Sequence, residues 1–445
     1  MALTGLKIQK YLPKTNCKEC GSNTCLAFAM KLAAKKADLS ACPYASEEAK
    51  ELLGAASEPP VKPISLGPKG ELKLGEETVF YRHEKTFVNQ TALAININDS
   101  DTHEEIEGTL QNVRDYLLER VGEQLTIDMV AVTNCEMAPS AFAELVRRAH
   151  EVTGRPLVIR SDSAEALVEA AVAVKGSNSV LASATSESFQ QLKTAAMDNG
   201  HALAVTAPDL DGMIKLTTDL KADGFNELLL DFQTHSPAER FQVNAIARRA
   251  ALRENYKPFG YPSLAFIDGD DNLTIAVSAV TEISKFGGIC VLPSFDPALL
   301  VALMTARMNI YTDPQKPIQV EPKIYAIGDP TPESPVFVTT NFSLTFFIIS
   351  GEIENSGLSA WLVVPECEGM SVLTSWAAGK FSGGSIAKFI KASGLEEKVT
   401  SRKLIIPGYV AQISGELEEG LPGWSVMVGP QESADLDSFI ANLTP

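Results

Sequence analysis

The stretch from Thr91 to Tyr311 repeats one pattern eight times, a short apolar run rich in β-branched residues followed by helical spacing. Runs that are apolar throughout are typical of strands buried on both faces, as in parallel sheets. Eight such units are the size of a (β/α)8 TIM barrel, which we predict for residues 91–312, with a doubly wound open sheet as the alternative. The candidate strands are Ala92–Asn98, Ile127–Thr133, Leu157–Ser161, Ser179–Ala184, Ala202–Ala207, Glu227–Phe232, Leu264–Ile267 and Ile289–Pro293.

Polar residues follow the predicted barrel strands, at the end of the barrel where function resides in this fold. The segments show no metal triad, no nucleophile elbow and no phosphate-binding loop, so a scaffold and a catalytic barrel stay equally open. His235 could act as a base beside Asp231, although a single loop histidine more often has no such role. The polar segments are Asn96–Asp101, Thr133–Glu136, Arg160–Asp162, Asp209–Asp211, Asp231–His235 and Ser294–Asp296.

Four cysteines, Cys17, Cys20, Cys25 and Cys42, lie in the N-terminal sequence "KTNCKECGSNTCLAFAMKLAAKKADLSACPYA". Three of these thiols fall within nine residues and the fourth follows later, whereas zinc sites usually present two close pairs. Iron–sulfur clusters accept four cysteines at such uneven spacings. The spacing therefore favours a 4Fe–4S cluster, with a structural zinc or unligated thiols as alternatives. A helix is expected to begin at Cys25 and to continue through residue 36.

Residues 1–58 contain few large apolar side chains, so we expect the metal centre to organise this module. The other three cysteines, Cys135, Cys290 and Cys367, lie singly in apolar segments and are predicted to be core residues. The stretch from Ser57 to Gly75 holds four prolines and three glycines. We therefore predict a linker over residues 59–90 that lets the module swing relative to the body.

A second linker is predicted over residues 313–335, because Asp313 to Pro335 contains six prolines. Residues 336–445 then alternate short strands with helices, which predicts a small Rossmann-like α/β domain. One helix is expected over Ser385–Ala392, N-capped by Ser385 and closed by Gly394. The predicted strands are Val336–Thr339, Thr345–Ser350, Ala360–Val364, Lys403–Ile406 and Ser425–Val428.

The strand ends of this last domain are rich in hydroxyl and amide groups, as in "TTNFSLT", "EGMSVLTSWAAGK", "PGYV" and "GPQESAD". Neither the dinucleotide nor the phosphate-loop fingerprint is present. A large neutral ligand with amide groups would suit these segments, and ordinary turn chemistry is the alternative.

The net charge of -18 disfavours nucleic acid as a partner, since phosphate binding requires clustered basic residues. No apolar run approaches the length of about 20 residues that a bilayer helix needs. The first ten residues do not have the pattern of a secretory signal. We therefore expect a cytoplasmic protein with no membrane span and no nucleic-acid partner.

Over its whole length the chain resembles the large (gamma) subunit of the corrinoid iron–sulfur protein, the methyl carrier of the reductive acetyl-CoA pathway and of the acetyl-CoA decarbonylase–synthase complex. The cysteine segment, the predicted barrel, "VTTNFSLTFF" and "GMSVLTSWAAGKF" carry the resemblance. It implies a 4Fe–4S cluster on Cys17, Cys20, Cys25 and Cys42, and a corrinoid held by the last domain. It further implies corrinoid contacts at Thr340, Thr345, Met370, Ser371, Val372, Leu373, Thr374 and Ala434. Of these residues, Thr374 would lie close to cobalt.

The resemblance implies a component of a methyltransferase system rather than a stand-alone enzyme. Its cobalt would accept a methyl group from methyltetrahydrofolate through a separate methyltransferase and deliver it to acetyl-CoA synthase/CO dehydrogenase. The cluster would return Co(II) to Co(I) with electrons from a low-potential donor. A smaller subunit would complete a heterodimer, and residues 313–335 would be the hinge that lets one cobalt face meet two partners.

The positions of the histidines bear on this expectation independently. All five histidines precede residue 236, and no Asp-x-His-x-x-Gly motif occurs, so the last domain cannot donate an imidazole to cobalt. A metal without a strong axial donor is easier to reduce. Two other functions stay open from the sequence: an iron–sulfur electron-transfer protein fused to a barrel enzyme without corrinoid, and an architectural subunit with structural zinc.

Overall fold

The computed structural model describes residues 5–33, 37, 39–46, 49, 59–120, 122–234, 236–269, 271–313 and 316–443. The chain forms two compact units. The first comprises Met1–Leu117 and Thr126–Tyr311, and the second comprises Leu118–Leu125 and Thr312–Pro445. Among the helices in these ranges, none combines the length and the apolar character needed to cross a bilayer.

Eight parallel strands close into a barrel in the first unit, and their order around the barrel is their order in the chain. The ring closes where the last strand pairs with the first, with Ile289 opposite Ala92 and Leu292 opposite Ile95. The (β/α)8 prediction is confirmed, and each strand lies within two residues of its predicted bounds. The strands are Ala92–Asn98, Met129–Thr133, Leu157–Arg160, Val180–Ala184, Ala202–Thr206, Leu228–Asp231, Ser263–Phe266 and Ile289–Leu292.

One helix follows each barrel strand, and several helices begin at a side chain that caps the first turn. The Thr102 hydroxyl accepts from the backbone N–H of Glu105, whose carboxylate accepts from Thr102 in return. The Asp271 carboxylate accepts from the backbone N–H of Thr274 at 2.8 Å. The barrel helices are His103–Asp115, Pro139–Thr153, Ala164–Ala173, Phe189–Asn199, Leu210–Ala222, Pro237–Glu254, Asn272–Ser284 and Pro297–Tyr311.

A two-stranded antiparallel hairpin, Ile64–Leu66 with Leu72–Leu74, packs against the side chains inside the barrel. Ile64, Leu66 and Leu74 are at most 1% exposed and share one apolar cluster with inward-facing barrel residues such as Met129 and Val180. This part of residues 59–90 therefore differs from the flexible linker predicted. The same glycines that suggested flexibility build the turn, since Gly67 and Gly70 have φ of 90° and 65°.

A buried ion pair holds the chain after this hairpin to the barrel. The Glu77 carboxylate accepts from Arg248 Nη1 at 3.0 Å, and the two side chains are 7% and 5% exposed. Arg248 Nη2 also donates to the carbonyl of Phe286 at 3.1 Å, and the guanidinium lies 5.4 Å from the ring centre of Phe286. Both partners of a buried pair must be present for it to be tolerated.

The second unit has a five-stranded sheet in the order Lys323–Ile327, Ala360–Val364, Val336–Val338, Lys403–Ile406 and Ser425–Val428. The first strand is antiparallel to its neighbour and the other pairs are parallel, in agreement with the predicted α/β domain. Apolar clusters cover both faces of the sheet. The helices of this unit are Ser343–Asn355, Val372–Ala377, Gly383–Ala392, Leu395–Lys398, Ser414–Gly420 and Leu436–Ala441.

Residues 345–350, predicted as a strand, belong instead to the Ser343–Asn355 helix, so this prediction was wrong. The buried residues Ser343, Phe346, Ser350 and Ile353 recur at helical spacing on one face. The opposite face is also apolar, since Ile348 is 40% exposed. A helix that is apolar on two faces gives no amphipathic pattern, and its β-branched residues then suggest a strand.

The helix predicted to begin at Ser385 begins at Gly383, and Ser382 is its N-cap. Ser385 completes a capping box with Ser382, and Gly394 follows the helix with φ of 71° as predicted. A Cβ on Gly383 would lie 2.6 Å from the Cβ of Glu416. A glycine at position 383 is therefore required for this close packing.

An edge strand, Lys323–Ile327, lies within the proline-rich segment predicted as a linker over residues 313–335. No proline falls inside the strand itself, and an edge position tolerates prolines on either side. The chain before it is also attached, because Val320 donates to the carbonyl of Asn341 at 2.9 Å and Ser343 donates to that of Ile318 at 3.0 Å. The described residues from Ile318 onward thus belong to the sheet of the second unit.

The three cysteines predicted as core residues divide in the structure. Cys290 and Cys367 are buried, as predicted, whereas Cys135 is exposed. Cys135 lies just after a barrel strand, in a loop whose backbone N–H groups, its own included, donate to the carboxylate of Asp99. The prediction for Cys135 was wrong because the apolar run ends two residues earlier, at Thr133.

We expect Glu77→Ala to lower the free energy of unfolding by about 3 to 5 kcal/mol, since it leaves the Arg248 guanidinium buried without its counter-ion. Glu227→Ala is the matched control, because its ion pair with Lys62 is 50% and 34% exposed and should contribute no more than about 1 kcal/mol. Denaturant titrations of both variants measure the difference. Equal losses in the two variants would contradict the role given to the buried pair.

Candidate functional site

The N-terminal cysteine module packs three of its four thiols against one small apolar cluster. Cys25 and Cys42 are each 6% exposed, Cys20 packs against the same cluster, and Cys17 is exposed. Cys25 begins the Cys25–Ala33 helix as predicted, and its backbone N–H donates to Asn16 Oδ1 at 2.8 Å. The predicted extension to residue 36 falls outside the described residues.

The loop that carries Cys17 and Cys20 has an unusual backbone. Lys14, Asn16 and Lys18 adopt φ of 58°, 49° and 69° without being glycines. Alternation of left-handed and other residues turns backbone N–H groups toward one side, a geometry that recurs around phosphates and iron–sulfur clusters. Four thiols beside such a loop are a donor set that fits an iron–sulfur cluster.

A hydrogen bond joins this loop to the segment after Cys42. The Tyr44 hydroxyl donates to Glu19 Oε1 at 3.0 Å, and this bond and the carboxylate charge raise the pKa of Tyr44. Across the part of the chain that the structure describes, no three Cys, His, Asp or Glu side chains are gathered closely enough to hold one metal ion. The ligation by Cys17, Cys20, Cys25 and Cys42 therefore stays a prediction.

A cavity of about 230 Å³ lies in the second unit, at the carboxyl ends of its parallel strands. This is the position predicted for a ligand from the Rossmann-like topology. Two of the predicted contact residues, Thr345 and Val372, line it. Its walls come from residues 337–339, 345, 348–349, 372, 405–407, 409, 429–433 and 436.

Three hydroxyl groups at this end of the sheet are buried without a partner. Thr339, Thr340 and Ser343 are at most 1% exposed. Their hydroxyl oxygens have no hydrogen-bond partner in the described ranges. An unpaired buried hydroxyl costs roughly 1 to 3 kcal/mol. Thr339 also lines the cavity, so these groups suit a ligand that brings polar atoms of its own.

The Asn341 side chain, fully buried, holds the next loop in place. Its Oδ1 accepts from the backbone N–H groups of Cys367 and Gly369, each at 3.0 Å. Its Nδ2 donates to Gln319 Oε1 at 2.9 Å and to Glu366 Oε1 at 3.1 Å. All four hydrogen bonds that the amide can make are thus used, three of them to residues 366–369 and one to Gln319.

The other predicted contact residues lie in this loop, in the short helix after it and near the C-terminus. Met370 and Ser371 are partly buried, whereas Leu373, Thr374 and Ala434 are exposed. The hydroxyls of Ser371 and Thr374 are 3.0 Å apart. The structure therefore brings Thr345 and Val372 into one wall, buries Thr340, and leaves Leu373, Thr374 and Ala434 on the surface.

Two further cavity residues were not singled out from the sequence. The Tyr409 hydroxyl donates to the Glu432 carboxylate, and this bond and the charge of the carboxylate raise the pKa of Tyr409. Both residues line the cavity. They lie in the segments "PGYV" and "GPQESAD", and the position of these segments after strands was the one indication in the sequence that they belong to a site. The contact itself could not be predicted, because the two residues are 23 apart in the chain.

Comparison with known proteins places these features in one family. Residues 63–440 match the family model described as "CO dehydrogenase/acetyl-CoA synthase delta subunit", and residues 12–44 match the one described as "Putative Fe-S cluster". The "Corrinoid/iron-sulfur protein large subunit" of Moorella thermoacetica is 39% identical, with 100% of both chains covered. The "Acetyl-CoA decarbonylase/synthase complex subunit gamma" of Methanopyrus kandleri is 33% identical, covering 98% of this chain and 97% of its own.

A cysteine module, a closed barrel and a Rossmann-like domain with a cavity at its strand ends define a modular α/β protein. The matches extend over this whole arrangement. The chain belongs to the family of the corrinoid/iron–sulfur protein large subunits and acetyl-CoA decarbonylase/synthase gamma subunits.

We expect Asn341→Ala to release the loop over residues 366–369, because two buried backbone N–H groups lose their acceptor at a cost of about 2 kcal/mol or more. Hydrogen exchange of the Cys367 and Gly369 amides should accelerate at least tenfold. Asn355→Ala, at the exposed end of the Ser343–Asn355 helix, serves as the control. Unchanged protection of both amides in Asn341→Ala would show that other contacts hold the loop.

Proposed function

We propose that this chain is the large subunit of a cytoplasmic methyl carrier of the acetyl-CoA pathway. A corrinoid occupies the C-terminal unit, and a 4Fe–4S cluster is held by Cys17, Cys20, Cys25 and Cys42. The observation that carries the proposal is the cavity at the strand ends beside the unpaired hydroxyls of Thr339, Thr340 and Ser343. When bound, the corrinoid supplies a cobalt that takes up and releases a methyl group, and the cluster supplies an electron that returns Co(II) to Co(I).

The residues of the C-terminal unit bind and orient the macrocycle in this proposal. Thr345 and Val372 pack against it from the cavity wall, and Thr340 offers a hydroxyl from below. Met370 and Ser371 contact it from just after the loop that Asn341 fixes, Leu373 and Thr374 contact it from the helix Val372–Ala377, with Thr374 near the metal, and Ala434 contacts its edge. Leu373 and Trp376 are 45% and 41% exposed, as expected of apolar side chains that a large ligand or the smaller subunit covers.

The absence of histidine beyond residue 235 supports the same proposal. With no imidazole available from this domain, a cobalt bound there would receive no strong nitrogen donor of that kind from the chain and would be easier to reduce. The side chains of Thr340 and Asn341 are themselves fully buried and so are shielded from water. The chain thus stabilises a low-valent state rather than performing bond chemistry with its own side chains.

The proposed partners follow from the methyl-carrier role. A methyltransferase delivers the methyl group of methyltetrahydrofolate, acetyl-CoA synthase/CO dehydrogenase receives it, and the smaller subunit completes a heterodimer. A low-potential donor reduces the cluster. The net charge of -18 disfavours nucleic acid among these partners.

An absorption spectrum of the anaerobically purified protein tests the function. Corrinoid bands together with iron–sulfur absorption are expected. A cluster without corrinoid would instead support an electron-transfer protein fused to a barrel. A colourless protein with bound zinc would support an architectural subunit, and either result overturns the proposal.

We expect Cys20→Ala to abolish the iron–sulfur absorption and to prevent reactivation of Co(II), while methyl transfer started from pre-reduced Co(I) stays unchanged. Cys135→Ala is the matched control, because this thiol is exposed and lies outside the module. Methyl transfer assays under strictly anaerobic conditions, with and without chemical pre-reduction, measure both effects. Failure of Cys20→Ala even from Co(I) would rule out a purely reductive role for the cluster.

We propose that the hinge for alternation between partners lies before Ile318, since residues from Ile318 onward are bonded into the sheet. Limited proteolysis should cut between Thr312 and Pro317, and a bound partner should change the rate of this cut. Cleavage within the edge strand Lys323–Ile327 should stay slow in both states. Equal rates of cutting before Ile318 with and without partner would count against a hinge there.

A further inference from the structure

The open end of the barrel contains a second cavity. Its lining residues are different from those of the cavity in the second unit. It measures about 290 Å³ and lies where the barrel strands end. Its walls are partly apolar, with Phe232, Phe266 and Val291, and partly charged, with Arg160 and Asp231. Nothing in the proposed methyl-carrier function uses these residues. This end is the usual ligand site of the fold.

Asp231 is a buried carboxyl group in the wall of this cavity. It is 7% exposed, and its Oδ2 accepts from Ser183 Oγ at 2.5 Å. Within the described ranges, its Oδ1 has no hydrogen-bond partner. Burial raises the pKa of the Asp231 carboxyl, although the charges of Arg160 and Arg240 act in the opposite direction. One acceptor oxygen of this mostly buried carboxyl group is therefore left available to a ligand.

Arg160 presents positively charged N–H donors in the same cavity. Its guanidinium carbon lies 4.2 Å from the ring centre of Phe266, so the planar group rests on an aromatic face. No acceptor among the described residues pairs with its N–H groups. A stacked guanidinium with unpaired N–H groups is oriented to bind a carboxylate through two parallel hydrogen bonds.

The neighbouring Arg240 differs from Arg160 in having a counter-ion, and this difference limits the class of anion that the cavity can bind. Arg240 also lines the cavity, but its Nη1 already donates to the buried Glu282 carboxylate at 3.2 Å. The Arg240 guanidinium is thus held by a buried counter-ion, although its Nε has no partner among the described residues, whereas the Arg160 guanidinium has no ion pair there. The Asp231 and Asp268 carboxyls in the wall oppose a doubly charged phosphate.

We propose that the open end of the barrel binds a small organic carboxylate with an apolar body and a hydroxyl or amino group next to the carboxylate. Arg160 binds the carboxylate, Asp231 accepts from the neighbouring donor, and the apolar body packs against Phe232, Phe266 and Val291. The site makes no use of the cluster or the corrinoid, so it stands or fails separately from the methyl-carrier function.

Isothermal titration calorimetry of the complete protein tests the proposal with three probes. Mandelate has the carboxylate, the hydroxyl and the ring, phenylacetate lacks the hydroxyl, and benzyl alcohol lacks the carboxylate. We expect mandelate to bind most tightly, phenylacetate about tenfold more weakly, and benzyl alcohol not measurably. Inorganic phosphate should not compete with mandelate. Absence of mandelate binding, or displacement of mandelate by phosphate, overturns the proposal.

Arg160→Gln should weaken mandelate binding at least tenfold, and Arg160→Lys should weaken it less because the charge stays while the planar fork is lost. Arg253→Gln is the matched control, since Arg253 is also exposed and stacks on an aromatic ring, that of Phe80 at 5.4 Å. This control should bind mandelate as the unaltered protein does. Equal affinity in Arg160→Gln and Arg253→Gln overturns the assignment of the carboxylate to Arg160.

Discussion

Closure of the barrel is the constraint on which the first unit depends. The strand Ile289–Leu292 pairs with Ala92–Asn98, so hydrogen bonds run around a complete ring and no strand edge is left exposed. The hairpin Ile64–Leu66 and Leu72–Leu74 packs against the small inward residues Ala92, Ala94 and Ala131. Barrel closure and hairpin packing together hold the hairpin and the barrel in one compact unit, from which Leu118–Leu125 is excluded. The buried pair of Glu77 and Arg248 adds a further attachment within this unit.

The second unit relies on contacts between distant loops rather than on closure. Asn341 ties the loop over residues 366–369 to the end of a central strand. Gly408 approaches the carbonyl of Gly429 so closely that a Cβ would lie 2.6 Å away. These contacts leave the strand ends open to a ligand while keeping them rigid. A rigid, partly apolar opening suits a large preformed ligand better than a small one that a loop must enclose.

The barrel was predictable because strands buried on both faces keep their apolar character over their whole length. The Ile64–Leu66 hairpin was not, since strands of three residues are too short to show alternation against a background of proline and glycine. Residues 345–350 have the sequence pattern of a strand although they are helical. Ile348 and Ile349 line a cavity, so the helix lacks the polar face that a surface helix usually shows in its sequence.

The candidate site was only partly predictable. The iron–sulfur character of the N-terminal segment could be predicted because cysteine number and spacing are local properties of the sequence, and ligation by the four cysteines stays a prediction. The role of Asn341 depends on Gln319, Glu366 and Gly369, which lie 22 to 28 residues away in the chain. Likewise, Arg160 and Phe266 meet only because a barrel brings distant strands together.

The second unit is assembled from two separate stretches of the chain, since Leu118–Leu125 belongs to it although the stretch lies between two barrel elements. The nearest neighbour of a Cβ built at Gly122 is the ring of Phe347, 3.6 Å away and more than two hundred residues later. The strands Leu118–Arg120 and Glu123–Leu125 of this stretch pair as an antiparallel hairpin, which leaves the ribosome during synthesis long before the helix that carries Phe347. Cutting the gene at residue 312 would therefore divide a folding unit rather than separate two, and a transplanted C-terminal fragment would lack one of its own pieces.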